Sequence, residues 1–139
     1  MATLTRSTEL PLSADRAWSI VGRPESMSEW HPAIASSATD GNTRVCVLPD
    51  GARIHEEIRA HDDTSRAYTY VIVESPLPVK DYASTLEVKP LDGGRSLVTW
   101  SCSYEPMAPA AEVESLIAGV YEAGLGALAQ DPGAAARGG

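Results

Sequence analysis

In the segment Ala52–His61, ARIHEEIRAH, residues alternate with the period of a β-strand. Ile54, Ile58 and Ala60 fall on one face, and Arg53, His55, Glu57, Arg59 and His61 on the other. Glu56 shares the phase of Ile54 and Ile58, so the face that must turn inward carries a carboxylate. A carboxylate taken out of water needs a hydrogen-bond partner, a neutralising proton or water in a cavity. Such a group can move a proton next to a carbonyl, or accept a hydrogen bond from a ligand hydroxyl. Two plainer outcomes compete: a β-bulge that rotates Glu56 outward, or a structural Glu56 paired with a buried hydroxyl.

Other residues could serve the same chemistry. His31 follows Trp30 at the end of a short helix and is a candidate proton carrier at a cavity mouth; a capping histidine on the surface is the alternative. Tyr70 and Tyr82 are candidate catalytic hydroxyls that could orient a carbonyl or enolate. Tyr121 adds a third hydroxyl, with Tyr68 on the same inward phase as Tyr70. Trp30 and Trp100 are candidate walls for a flat ligand, and Leu86 shares the inward phase of Tyr82 and Ser84. His55 and His61 are expected on the outer face beside Glu57 and Arg59, as a solvated charged ladder rather than a metal site. Asp62-Asp63 reads as turn chemistry.

The elements that must position these groups are clear from the punctuation. Thr3–Leu10 alternates as a first strand ended by Pro11. Ser13 caps a helix to Val21 that Gly22 stops, and Pro24 opens a second short helix to Trp30, closed by Pro32. Six strands follow: Ala33–Thr39, Thr43–Leu48, Ala52–His61, Arg66–Glu74, Tyr82–Lys89 and Arg95–Glu105. The clusters DGN, PDG, HDDTS, SPLPVKD and LDGG separate them. Short connections make sequential strands antiparallel neighbours. One long helix, Ala110–Gln130, closes the pattern, with Val113, Leu116, Ile117, Val120, Tyr121, Gly124, Leu125 and Leu128 along its apolar stripe. Gly124 on that stripe means either close approach of helix to sheet or a gap that something else fills. The predicted fold is α+β: a seven-stranded curved antiparallel sheet gripping the last helix, with a pocket between the two layers. Residues 1–130 form this single ligand-binding domain, and the tail 131–139, DPGAAARGG, is expected to be disordered.

Composition narrows the function. The chain has 139 residues, about one domain, and a net charge of −8. That acidity argues against a nucleic-acid partner, which would need a basic surface. Apolar runs are too short to span a bilayer, and nothing at the N-terminus marks export, so a cytoplasmic protein is expected. Cys46 and Cys102 are isolated and read as small buried hydrophobes. No glycine-rich phosphate loop, HExxH or paired CxxC is present, so no cofactor or metal is expected.

Several landmarks together resemble the START/Bet v 1-like superfamily, and within it the bacterial polyketide cyclase/dehydrase-type group. They are Trp18 in the first helix, Glu29-Trp30-His31-Pro32, Leu48-Pro49-Asp50-Gly51, and the Ile54-x-Glu56-x-Ile58 strand. Tyr70 through Ser75-Pro76-Leu77-Pro78-Val79 to Tyr82, Val98-Thr99-Trp100-Ser101 and Gly119-Val120-Tyr121-x-x-Gly124-Leu125 complete the set. The match runs from about Thr3 to Leu128. It implies a cavity lined by the inner sheet face, the junction after the second helix and the long helix, and no nucleotide, metal or redox cofactor. A cofactor-free cyclase, dehydratase or isomerase acting on an apolar, polyketide-like molecule is one expectation. A non-catalytic carrier or sensor of a hydrophobic small molecule is the other, and a regulatory domain acting through protein contacts a third. Monomer and homodimer both remain open, since an exposed edge strand could pair two copies.

Overall fold

The computed structural model describes residues 1–130; the expectation for residues 131–139 lies outside them. The order is β1 (Ala2–Leu10), α1 (Ala14–Val21), a 3₁₀ turn (Pro24–Ser26), α2 (Met27–Trp30), β2 (Ser36–Asp40), β3 (Thr43–Val47), β4 (Arg53–Asp62), β5 (Ala67–Glu74), β6 (Val79–Leu91), β7 (Arg95–Pro106) and α3 (Ala110–Gln130). The seven strands make one sheet in the order β1-β7-β6-β5-β4-β3-β2, every pairing antiparallel. The first and last strands therefore meet: β1 pairs with β7, and α3 packs back across both. This is the helix-grip arrangement.

Local chemistry sets the joints. Ser13 caps α1 by accepting a hydrogen bond from the Arg16 backbone N–H at 3.2 Å, one of the donors that a helix start leaves without a partner. Gly22 ends it, its N–H bonded to the Trp18 carbonyl at 2.7 Å, and a Cβ there would run into the Trp18 ring. Gly41, at φ +61°, makes the tight β2–β3 turn.

Four sequence expectations shift. β2 starts at Ser36 rather than Ala33, because Ile34 is drawn into the core and its N–H bonds back to the His31 carbonyl at 3.2 Å. The strand β6 begins at Val79, so it absorbs the last three residues, Val79–Asp81, of the SPLPVKD connection. Leu116 is 50% exposed, since α3 presses Val113, Ile117, Tyr121, Gly124 and Leu128 against the sheet and leaves Leu116 beside that line. His61 is not on the outer face. The β4–β5 register slips between Ile58 and Ala60, leaving Arg59 as the extra residue, and His61 turns inward opposite Tyr68. There it stacks on Tyr68 (6.2 Å, 27°) and donates through Nε2 to the Gly22 carbonyl at 2.7 Å. Asp63, read as turn chemistry alone, also accepts the Trp18 indole N–H at 2.8 Å and so ties the β4–β5 turn to α1.

Candidate functional site

The inner face of β3 and β4 carries a buried ion pair. Arg44 sits directly opposite Glu56 in the β3–β4 ladder, and the two side chains are 0% and 5% exposed. Arg44 Nε donates to Glu56 Oε1 at 2.7 Å, and the Cys46 thiol donates to the same oxygen at 3.4 Å. The guanidinium is held in turn: Nη1 donates to the Pro24 carbonyl (2.9 Å) and the Tyr68 hydroxyl (3.0 Å), and the group lies 4.7 Å from the Tyr70 ring centre. Glu56 Oε2 has no hydrogen-bond partner among the described residues. Burial, reinforced by the Glu56 charge, pushes the Cys46 thiol up to about 12, so Cys46 is no nucleophile at neutral pH.

Across the interior stands a network of hydroxyls. Trp100 Nε1 donates to Ser84 Oγ at 3.0 Å and to the Tyr70 hydroxyl at 3.2 Å. Ser84 Oγ donates to the Ser101 carbonyl (2.9 Å) and lies 2.9 Å from the Tyr121 hydroxyl, which also bonds the Tyr82 hydroxyl. The Tyr121 ring stacks on Trp100 at 4.1 Å and 9°, fixing α3 to β7. Burial holds the phenols of Tyr70, Tyr82 and Tyr121 above their ordinary range, so they are neutral hydrogen-bonding groups.

A cavity of about 80 Å³ lies between these two clusters. Glu56, Tyr70, Tyr82, Trp100 and Tyr121 line it together; the rest of its wall is apolar apart from the Cys46 thiol. Of the other sequence candidates, Trp30, His31, Tyr68, Leu86 and Gly124 are buried but do not line it. His31 is not at the surface: it is 1% exposed, Nε2 donates to the Val120 carbonyl at 2.7 Å, and Nδ1 accepts from the Ala33 N–H at 3.1 Å. Burial lowers its pKa, so the ring is neutral and both nitrogens are engaged. The space that Gly124 leaves is filled by His31 and Trp30; a Cβ there would stand 2.5 Å from His31 Cδ2. Tyr68 supports Arg44, and Leu86 packs in the dry core.

Sequence reasoning did not single out Arg44. The signal was register: closing the β3–β4 hairpin with Val47 opposite Arg53 brings Arg44 opposite Glu56.

The family described as "Polyketide cyclase / dehydrase and lipid transport" matches residues 1–131. Among solved structures, XoxI from Bacillus cereus is 37% identical, with 94% of each chain covered and a TM-score of 0.91. An uncharacterised protein from Bacillus thuringiensis is 36% identical over 93% of this chain and 97% of that one, with a TM-score of 0.90. The ZhuI aromatase/cyclase of a Streptomyces species, at 14% identity and a TM-score of 0.72 over 94% and 92% of the two chains, shares the fold. No curated protein sequence matches this one. With its helix-grip fold and a family match across all described residues, the chain belongs to the polyketide cyclase/dehydrase and lipid transport family.

Proposed function

We propose that this chain binds a compact, largely apolar small molecule that donates one hydrogen bond to Glu56. The observation that carries this reading is the asymmetry of the carboxylate. Oε1 is tied to Arg44 and Cys46, while Oε2 is left without a hydrogen bond in a residue that lines a mostly apolar cavity. Oε2 is not fully buried: it keeps a little open surface, where a ligand hydroxyl or N–H could donate to it. Size limits the ligand. A cavity of 150 Å³ takes up benzene, and drug-sized ligands need about 300–1,000 Å³. At about 80 Å³ the site suits a small alcohol or the narrow end of a larger molecule. A folded polyketide would require α3 to stand further off the sheet.

The test uses 2-propanol against propane, followed by NMR of the Ile54, Ile72 and Ile117 methyl groups. A hydrogen bond to a charged acceptor contributes about 1.5–3 kcal/mol, so 2-propanol should bind roughly ten- to a hundredfold more tightly. Glu56→Gln keeps the shape but, with its carbonyl on Arg44, turns an amide donor toward the cavity; the preference should then pass to a ketone such as acetone. Equal affinity for 2-propanol and propane in the unsubstituted protein would end this reading.

Cofactor-free cyclase or dehydratase chemistry is the second reading. It is favoured by one feature: Glu56 lines the same cavity as Tyr82 and Tyr121, whose hydroxyls are hydrogen-bonded to each other. Glu56 would then take a proton and the neutral phenols would steady the developing enolate. His31, with both nitrogens engaged, has a packing role in either reading. A carrier or sensor needs only the binding step, so turnover lost in Glu56→Gln with ligand affinity within a few-fold would favour the enzyme.

A further inference from the structure

The ladder between β5 and β6 stops at Val71 opposite Ala83, although β5 continues to Glu74 and β6 begins at Val79. The next pairs in that register would be Ile72 with Tyr82, Val73 with Asp81 and Glu74 with Lys80; none forms. Both strands are deformed at the facing positions. Val73 is skipped where β4 pairs with β5, which turns it 67% exposed. Asp81 takes φ +53°, uncommon for a residue with a side chain, inside the break in β6–β7 register between Lys80 and Ala83. The strands separate around an open cleft of about 730 Å³ with Arg59, Glu74, Lys80 and Asp81 among its lining. Ile72 and Tyr82, the first pair that fails to form, line both this outer cleft and the internal cavity.

We infer that the cavity is reached through the sheet, by the gap between β5 and β6, with Ile72 and Tyr82 as the two sides of the doorway. Unpaired backbone groups in mid-sheet are tolerable only where water reaches them, which is what an open cleft provides. The helix α3 itself is fastened to the sheet by the Trp100–Tyr121 stack, the His31 bond to Val120 and the two rings filled in against Gly124. A molecule using this doorway must be slender where it passes Ile72 and Tyr82. A bulkier polar end would stay in the outer cleft among its charged groups. What passes through rests on the binding reading above; the doorway itself can be tested without a ligand.

Cys46 lines the cavity and is buried, so its thiol reports access, with buried Cys102 as a control for general opening. The protein is treated with methyl methanethiosulfonate at pH 9, because the Cys46 thiol is pushed up to about 12, and each cysteine is followed by peptide mass spectrometry. Ile72→Ala should speed Cys46 labelling about tenfold over the unsubstituted protein while Cys102 is unchanged. Val120→Ala, which enlarges the same cavity from the helix side, should leave Cys46 within about twofold. Ile72→Val is the milder variant should Ile72→Ala fold poorly, and should give about a threefold gain. Faster labelling in Val120→Ala than in the Ile72 variants, or equal acceleration of both cysteines, would overturn the inference. No preference for 2-propanol over propane, with this labelling pattern intact, would sink the binding reading alone.

Discussion

Arg44 and Glu56 illustrate how a buried charge pair can be indispensable without being a source of stability. Each loses its hydration, and their attraction together with the Pro24, Tyr68 and Cys46 contacts only offsets that loss. Removing one partner is different, because the other is stranded. Arg44→Met should destabilise the fold by about 3–5 kcal/mol in urea unfolding, whereas Arg44→Met with Glu56→Leu should recover most of that. A double variant as unstable as the single one would place the cost in packing rather than charge. Folded, the double variant should also lose the preference for 2-propanol over propane. The inward Glu56 was legible because one acid interrupts an apolar phase. Arg44 was not, because a long cationic side chain reads as solvent-facing unless cross-strand register is worked out first. His31 was singled out as a proton carrier at a cavity mouth or a surface cap, and neither reading foresaw its burial, which comes with two backbone partners supplied by Ala33 and by Val120 of α3.

At the scale of elements, the glycines of α3 have the same intrinsic helix cost and opposite environments. A Cβ at Gly119 or Gly126 meets nothing within 4 Å, so Gly→Ala at either should stabilise by about 0.5–1 kcal/mol. At Gly124 the same change puts a methyl 2.5 Å from His31 Cδ2 and 3.0 Å from Trp30 Cζ3. Overpacking of that kind costs about 1–3 kcal/mol, enough to reverse the sign. Thermal unfolding of the three single variants checks this; a stabilising Gly124→Ala would mean that the His31–Trp30 wedge can yield. The boundaries of α3 and the number and direction of the strands were legible from periodicity and turn residues. The bulges at Arg59 and Val73 were not, because a one-residue slip leaves no compositional mark, and they decide that His61 faces inward and that β5 parts from β6.

For the whole molecule, His31 links the layers on which the grip depends. It joins the α2–β2 connection to α3 and packs edge-on against Trp100 of β7 at 5.9 Å. Its folded-state pKa is lowered by burial, so the native protein resists a proton that the unfolded chain accepts near pH 6.5. Between the two pKa values the unfolded state binds more protons, and stability therefore rises with pH. The contribution is complete above about pH 6.5 and is lost as pH falls below it, with a slope of at most about 1.36 kcal/mol per pH unit from this one group. A falling melting temperature between pH 7.5 and 5.5 should be shallower in His31→Gln, which lacks the titration yet can still reach Val120. The same slope in both proteins would assign the acid sensitivity to other groups. If the slope does belong to His31, acid loosens first the fastening that keeps α3 on the sheet, and mild acid should make the cavity accept larger probes before the protein unfolds.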